Sequence, residues 1–428
     1  MLLADGGSAC VRAVTPRDAA RVAAFHRALS LETVYFRYFS GLVRLPPAIL
    51  ERFTRVDFAR DMVLVAEVGE RVIALASYHR GAAPDAAEVA FVVADEYQGR
   101  GLGTLLLEEL AELARERGVT RFTADTLAGN RAMLRVFADA GFELDRDAEA
   151  GVVHVRFRIG VTRRGALAHE LREHRAEARS IARILAPRSL LLVGELAFDP
   201  ARLARFAGRL YTDLRAAPDD VDLVLYGGGA AELPPLVASL AAAGAHALLV
   251  GTLRDEPQGA ELAAFDRELR IAVRHNGMRL VGPTSGGVVN TDPAVSLFAA
   301  ALGGSPARGC VGLACDSALA GGDVLADAVS AGVGLSSYLS LGRRADVSLN
   351  DLLQCWADDA ATRAIALCVG GVGNPDKFQR IAARVTAAKP ILALASGDPD
   401  RDALFARAGV ALAGTPRELL QRAAACAP

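Results

Sequence analysis

Neither sign of charge is in excess in these 428 residues: the formal net charge is −2. That argues against a nucleic-acid footprint and against a polybasic membrane patch. Apolar runs such as "SLLLVGELAF" fall far short of the roughly 20 residues that cross a bilayer, so no membrane association is expected. The opening "MLLADGGSACVRAVTPRD" has no basic region followed by an apolar core, and no signal peptide is read there. Six cysteines (Cys10, Cys310, Cys315, Cys355, Cys368, Cys426) form no CxxC and no metal-ligand spacing. No metal is therefore expected, and a reduced cytoplasmic setting is the simplest one. Low-complexity tracts and clear internal repeats are missing too.

What is present is an ordinary globular composition, 52% hydrophobic and 23% charged, over a length that implies two or three domains. The first 160 residues read β-α-α-β-β-β-α-β-α-β. A short strand, "CVRAV", precedes a helix with Thr15 as N-cap and Pro16 at its first position. "DMVLVAEVGERVIALASYHR" is a hairpin turning at Gly69 and Glu70, and "RFTADTL" and "GVVHVRFRI" are later strands. Residues 161–179 form a charged helical connector. From about residue 180, short apolar runs alternate with helical segments, which implies parallel sheet covered on both faces. About eight such strands suggest two doubly wound units, with a boundary in the Gly/Pro/Ser cluster from Gly303 to Arg308. The expected fold class is α/β: a mixed sheet with helices over 1–160, the linker 161–179, and parallel units over 180–303 and 304–428.

The most informative stretch is "VAFVVADEYQGRGLGTLLLEELAELARERG". Gln98, Gly99, Arg100, Gly101, Leu102 and Gly103 give Q-x-x-G-x-G between an apolar strand and an amphipathic helix. Glycines let successive backbone N–H groups turn toward one point, and the helix N-terminus adds unpaired donors and partial positive charge. A pyrophosphate suits such a cradle, and the Arg100 side chain could add a charge-assisted bond. A plain strand-to-helix turn would need glycine as well, but the order of the surrounding elements favours the cradle.

Gln98 to Gly103 resembles motif A of the GNAT acyltransferases, and "NRAMLRVFADAGFE", from Asn130, resembles their motif B. The resemblance covers roughly residues 10–160. It implies acetyl-CoA or another acyl-CoA as cosubstrate, its pyrophosphate on the backbone from Gln98 to Thr104. Pantetheine would lie along the strand of Val92 and Val93, splayed from its neighbour, with Asn130 helping to orient it. "LSLETVYFRYFS", "FTRVDF" and "AEVAFVVADEYQGRGLG" further resemble the GNAT domain of the bacterial Pat-type protein lysine acetyltransferases. That implies a protein substrate with a reactive lysine, an AMP-forming acyl-CoA synthetase being the leading candidate.

A lysine ammonium, with a pKa of about 10.4, leaves only about one amine in 2,500 neutral at pH 7. The transfer therefore needs a base. Glu88 starts the motif A strand, where the Pat-like group carries its catalytic glutamate. An edge-strand carboxylate without a role is the alternative reading. Asp95 and Glu96 lie too close to the phosphate turn to serve as bases and are read as solvated. Many GNAT enzymes use a motif B tyrosine as general acid; the matching position here is Phe137, which leaves the acid unassigned. Tyr35, Arg37 and Phe39 line either the acceptor groove or a helix packed on the sheet. His26 and His79 are weaker base candidates.

From about Ser180 the chain resembles the CoA-binding (Rossmann-like) and succinyl-CoA ligase-like (flavodoxin-type) units of NDP-forming acyl-CoA synthetases, in "NGMRLVGPTSGGVVNT", "GLSSYLSLGRRADVSLNDLL" and "DDAATRAIALCVGGVGNPDKF". The departures are larger than the matches. Only Gly194 remains of the CoA loop, with Glu195 beside it. Thr284 and Ser285 replace an amide and a thiol. Asp316 stands at an expected anion turn, and no histidine follows His275. A synthetase cycle is thus excluded, leaving a regulatory CoA sensor or a scaffold for folding, homo-oligomer formation or docking. A small-molecule amine acetyltransferase and a non-catalytic acyl-CoA-responsive binding protein remain as alternative functions.

Overall fold

A computed structural model describes residues 1–81, 83–217, 220–301, 305–395 and 397–426. The chain divides into two compact units, residues 1–173 and 174–428. The boundary read at Gly303 lies outside the described residues.

In the first unit the strands are β1 (Cys10–Ala13), β2 (Asp61–Val68), β3 (Arg71–Arg80), β4 (Ala86–Val93), β5 (Arg121–Leu127), β6 (Leu144–Glu149) and β7 (Val152–Arg158). The helices are α1 (Ala19–Ala28), α2 (Leu31–Tyr38), α3 (Pro47–Thr54), α4 (Leu102–Glu116) and α5 (Arg131–Asp139). The strands make one sheet in the order β1-β2-β3-β4-β5-β7-β6. Every pairing is antiparallel except β4 with β5. Sequence reading missed β6, whose "LDRDAE" is almost wholly exposed and carries no apolar alternation. It also missed α3.

Each sheet face buries its own cluster. On one face Leu102, Leu106, Leu107, Leu110 and Ala114 form a single stripe of α4 that packs with Phe91, Phe122, Phe137 and Phe157. On the other, Val22, Phe25 and Phe53 of α1 and α3 cover Val63, Val65, Leu75 and Val92. Thr15 begins the helical segment through a capping box with Asp18. Asp18 is 2% exposed and bonds Arg12 Nη2 at 2.7 Å, while Arg12 and Arg21 also hold Glu67.

Helix α6 (Arg163–Leu185) was expected to be a connector. Its last turns do more: Ile181, Ile184 and Leu185 are buried in the core of the second unit. That unit contains two sheets. One is all parallel, in the order β12-β11-β10-β8-β9, from β8 (Ser189–Gly194), β9 (Arg209–Tyr211), β10 (Leu223–Gly227), β11 (Ala247–Val250) and β12 (Arg279–Val281), with helices α7 (Leu233–Ala242) and α8 (Ala260–His275). The other runs β14-β13-β16-β15-β17-β18-β19. Its strands are β13 (Gly287–Asn290), β14 (Leu297–Ala300), β15 (Arg308–Cys315), β16 (Leu335–Ser340), β17 (Ala364–Cys368), β18 (Ile391–Leu394) and β19 (Ala411–Ala413), and its helices α9 (Ala318–Ser330), α10 (Leu349–Asp358), α11 (Pro375–Thr386), α12 (Pro399–Arg407) and α13 (Pro416–Cys426). Strands β13 and β14 were not read from the sequence, and they fall within the segment 180–303 expected to be Rossmann-like. They belong to the other sheet, because β13 returns antiparallel along β16, Val288 against Leu339.

Arg279 ties the second unit together. It is 1% exposed and bonds Asp346 (2.9 Å), Asp351 (2.9 Å) and Ser180 (3.0 Å), joining β12, the segment before α10, α10 itself and α6. The chain's two lysines are similarly occupied: Lys377 Nζ is 2.5 Å from Glu177 Oε1, and Lys389 Nζ donates to the carbonyls of Trp356 and Asp359, each at 2.6 Å.

Two stability predictions follow from these ion networks. Arg279→Ala leaves buried Asp346 with Arg274 as its remaining cation and buried Asp351 with Ser348 only, and should cost about 3 kcal/mol in urea unfolding of the second unit. For Asp18, the bond from Arg12 outweighs burial and holds the carboxyl well below the ordinary carboxylate range. A depressed folded pKa stabilises above the unfolded value and is lost as pH falls through the folded one. Unfolding of the first unit should therefore become easier as pH drops below about 4. Asp18→Asn should be less stable by about 2 kcal/mol at pH 7, with a shallower slope below pH 4.

Candidate active site

The site begins where β4 and β5 part. They pair only at Ala86–Arg121, Ala87–Phe122 and Glu88–Thr123, whereas β4 stays paired with β3 as far as Val93. Because the Ala94 N–H bonds Ile73 O, strand alternation turns the peptide groups of Val92 toward β3. The Val89 N–H makes the last bond to β5, and the Val89 carbonyl with the peptide groups of Phe91 and Val93 faces the gap. Val92, expected beside pantetheine, thus has its backbone on the β3 side and its side chain in the α1/α3 core, 6% exposed. The Val93 carbonyl lies on the gap side and accepts from Gln98 Nε2 at 3.2 Å.

Beyond β4 a short helical turn, Asp95–Tyr97, leads into Gln98. Gly99 and Gly101 have φ of +74° and +80°, a conformation that glycine adopts without steric cost. Helical bonding starts with Leu105 N–H to Gly101 O. Among the described residues, the N–H groups of Gly99, Arg100, Gly101, Leu102, Gly103 and Thr104 donate to no protein acceptor. Six free donors at a helix N-terminus fit a diphosphate. Leu102 and Thr104 are buried, so they offer backbone only. At Gly103 a Cβ would come within 3.2 Å of Val136, so the glycine lets α5 close on α4.

The side chains of this turn depart from expectation. The Arg100 guanidinium, expected on phosphate, is 2.8 Å from Asp5 Oδ2 and lies over the Tyr97 ring at 4.7 Å. Its contribution reduces to its N–H. Asn130 caps α5, its Oδ1 accepting from Met133 N–H at 3.0 Å, which leaves the amide NH2 for a ligand. Asp95 is exposed, as expected, and it also accepts three bonds, from Ser30 N–H (2.9 Å), the Ser30 hydroxyl (2.6 Å) and the Thr33 hydroxyl (2.7 Å). Burial opposes its charge, but the Ser30 and Thr33 bonds prevail and lower its pKa. Glu96 is exposed as well, and pairs with Arg71 on the surface. Ser30 and Thr33 escaped sequence reading. Ser30 precedes a helix as an N-cap does, but its partner lies 65 residues away and no local pattern reveals it.

Glu88 is exposed and is the last β4 residue paired with β5, opposite His79 on β3 and Thr123 on β5. His79 Nδ1 is 3.3 Å from Asp61 Oδ2. Helix α2 contributes Arg37, half-buried: burial lowers its pKa, Tyr38 and Glu88 raise it, and Arg52 lowers it again. Tyr35 and Phe39 are 50% and 40% exposed, while Tyr38 turns inward against His26 at 5.4 Å between rings. His26 is 2% exposed, which removes it as an acceptor-side base. Phe137 is 1% exposed between Phe91 and Phe157, so its position supplies no acid.

In the second unit the crevices at the carboxyl ends of the strands hold the protein's own charges. Gly194 and Gly227 meet so closely that a Cβ on either would collide with the other turn's backbone. Glu195 and Glu232 share Arg254, at 3.7 and 3.9 Å. Asp316 accepts from Gly370 N–H and lies 3.7 Å from Arg344. These carboxylates do not fit an incoming phosphate.

Residues 28–142 match the acetyltransferase (GNAT) family and residues 308–402 the succinyl-CoA ligase like flavodoxin domain. The chain is 30% identical over 158 residues to Acetyltransferase PA5475 of Pseudomonas aeruginosa, covering 36% of this chain and 85% of that one. It is 40% identical over 155 residues to Acetyltransferase Pat of Mycolicibacterium smegmatis, covering 35% and 43%. Over 236 residues it is 24% identical to the alpha subunit of ADP-forming acetate–CoA ligase II of Pyrococcus furiosus, covering 51% of each. It thus spans about half or less of the last two. No helix among the described residues is long and apolar enough to cross a membrane. With the parted strands, the free donors ahead of α4 and these likenesses in hand, the chain belongs to the GNAT family of N-acetyltransferases, with a succinyl-CoA ligase-like domain following.

Proposed function

We propose that this chain transfers an acetyl group from acetyl-CoA to a lysine ε-amine of a protein, by direct attack and with Glu88 as general base. The observation that carries this reading is the placement of Glu88 at the fork, one residue before the peptide groups that face the gap. The six free N–H groups from Gly99 to Thr104 bind the diphosphate, and the Asn130 amide orients the donor. The lysine reaches the thioester as the neutral amine, its ammonium proton having been lost to water, and Glu88 takes one of the two remaining N–H protons as the C–N bond forms. N–H groups on the gap side of β4 polarise the thioester carbonyl. With Phe137 in place of an acid, the CoA sulfur leaves as thiolate and is protonated by water.

Two features support a protein acceptor over a small polyamine. Leu31, Tyr35, Phe39 and Val43 are exposed along α2 and the segment after it, an apolar surface of the kind that meets other proteins. Arg37 lies within the field of Glu88, where a polyamine would call for further carboxylates. The resemblance to Pat-type enzymes names AMP-forming acyl-CoA synthetases as first acceptors to try. The second unit serves as scaffold or regulator, including a role in homo-oligomer formation, and is not catalytic.

Glu88→Gln should lower kcat/KM for acceptor acetylation by at least about 100-fold, with acetyl-CoA affinity by calorimetry unchanged. Equal turnover by the variant would reject Glu88 as base. Gly101→Val forces a branched residue to φ near +80° against Ala4 and should weaken acetyl-CoA binding about tenfold, read by the same titration.

A further inference from the structure

Helix α2 has little of its own to hold it. It spans eight residues, "LETVYFRY", rich in β-branched and aromatic types, and only Val34 is buried. Isolated helices this short do not persist in water, and one fully buried side chain, with Phe36, Arg37 and Tyr38 half-buried beside it, holds the helix only in part. Yet α2 contacts both β4 and β5 and carries Tyr35 and Arg37 on the acceptor side.

Its N-terminal turn supplies what burial does not. Three donors there converge on the Asp95 carboxylate: Ser30 N–H at 2.9 Å, the Ser30 hydroxyl at 2.6 Å and the Thr33 hydroxyl at 2.7 Å. The Thr33 oxygen then accepts from Gln98 Nε2 at 3.0 Å, and the same amide donates to Val93 O at 3.2 Å. The bonds thus run from the open end of β4, through the phosphate turn and α2, to Asp95. Asp95 lies three residues before Gln98, close to where a diphosphate would sit, so an unneutralised carboxylate there would repel the ligand. The positive end of the α2 dipole and three short bonds offset that charge.

We propose that Asp95 is a positioning residue that clasps the acceptor-side helix α2 to the acyl-donor turn, so that the amine's groove and the diphosphate cradle are built as one piece. This rests on the acetyl transfer proposed above. Asp95 touches neither reactant: the donor is held by backbone groups that do not need it, and the acceptor meets α2.

The test uses the full chain, acetyl-CoA and an acceptor protein that the wild type acetylates. Asp95→Ala should raise the acceptor KM about tenfold through lost orientation, while acetyl-CoA affinity stays within about twofold. Asp95→Asn keeps an oxygen for the two hydroxyls and should recover part of the loss. Ser30→Ala/Thr33→Val should match Asp95→Ala, and adding Asp95→Ala to it should cost little more, because the three act as a unit. Hydrogen exchange of the 31–38 amides, faster in Asp95→Ala than in the wild type, reads the clasp without turnover. An unchanged acceptor KM with unchanged exchange would overturn the proposal, as would parallel loss of acetyl-CoA binding. Should the wild type acetylate no protein, the proposed function fails, and the exchange measurement alone still decides the clasp.

Discussion

Three residues of parallel pairing between β4 and β5, and then none, is the constraint on which the first unit depends. A sheet interior normally leaves no backbone group unpaired, because a buried N–H or C=O without a partner is costly. Here the β5 side of β4 goes unpaired beyond the Val89 N–H, and the chain beyond Val93 turns through the glycines into α4. Polar groups thus become available in two places that belong together, along the gap and around the phosphate turn. Both are served by one extended ligand with a polar chain and an anionic end. Glu88, the proposed base, is held by sheet on both sides, whereas a carboxylate on a loop would be free to wander.

The sequence made this legible because the demands are local. A Q-x-x-G-x-G turn between an apolar strand and an amphipathic helix specifies backbone geometry through residues within hydrogen-bonding distance of one another in sequence. The same locality explains the Thr15 capping box and the α4 stripe. Where partners are distant, reading stopped. Asp95 is the exposed acid it reads as, but its partners Ser30 and Thr33 are out of local sight. Arg100 reads as a phosphate ligand until Asp5 and Tyr97 claim it. Strand β6 has no apolar alternation because it sits at an edge and packs on little. The four-residue strands β13 and β14 were not read at all, since runs so short carry no periodicity and their pairing partners leave no trace in sequence.

The second unit keeps the frame of a CoA-handling synthetase and fills its crevices with carboxylates. Asp316, bonded to the Gly370 N–H and close to Arg344, takes the place that an anion would take. A tethered carboxylate is present at a very high effective concentration, so free phosphate competes with it poorly. Conversely, the buried Arg279 network shows that the unit is held by charge pairing as well as by apolar packing.

The near-absence of lysine has an experimental bearing. Of 428 residues two are lysines, one ion-paired with Glu177 and the other donating to two carbonyls. A catalyst that acylates amines ordinarily marks itself during long incubations. This chain carries arginine almost everywhere that a basic side chain is called for, and guanidinium groups stay protonated and do not attack thioesters. For the lysine acetylation proposed above, it is therefore nearly transparent to its own reagent: a radiolabel or an anti-acetyl-lysine blot in a reconstituted mixture would register an acceptor against an almost blank enzyme band.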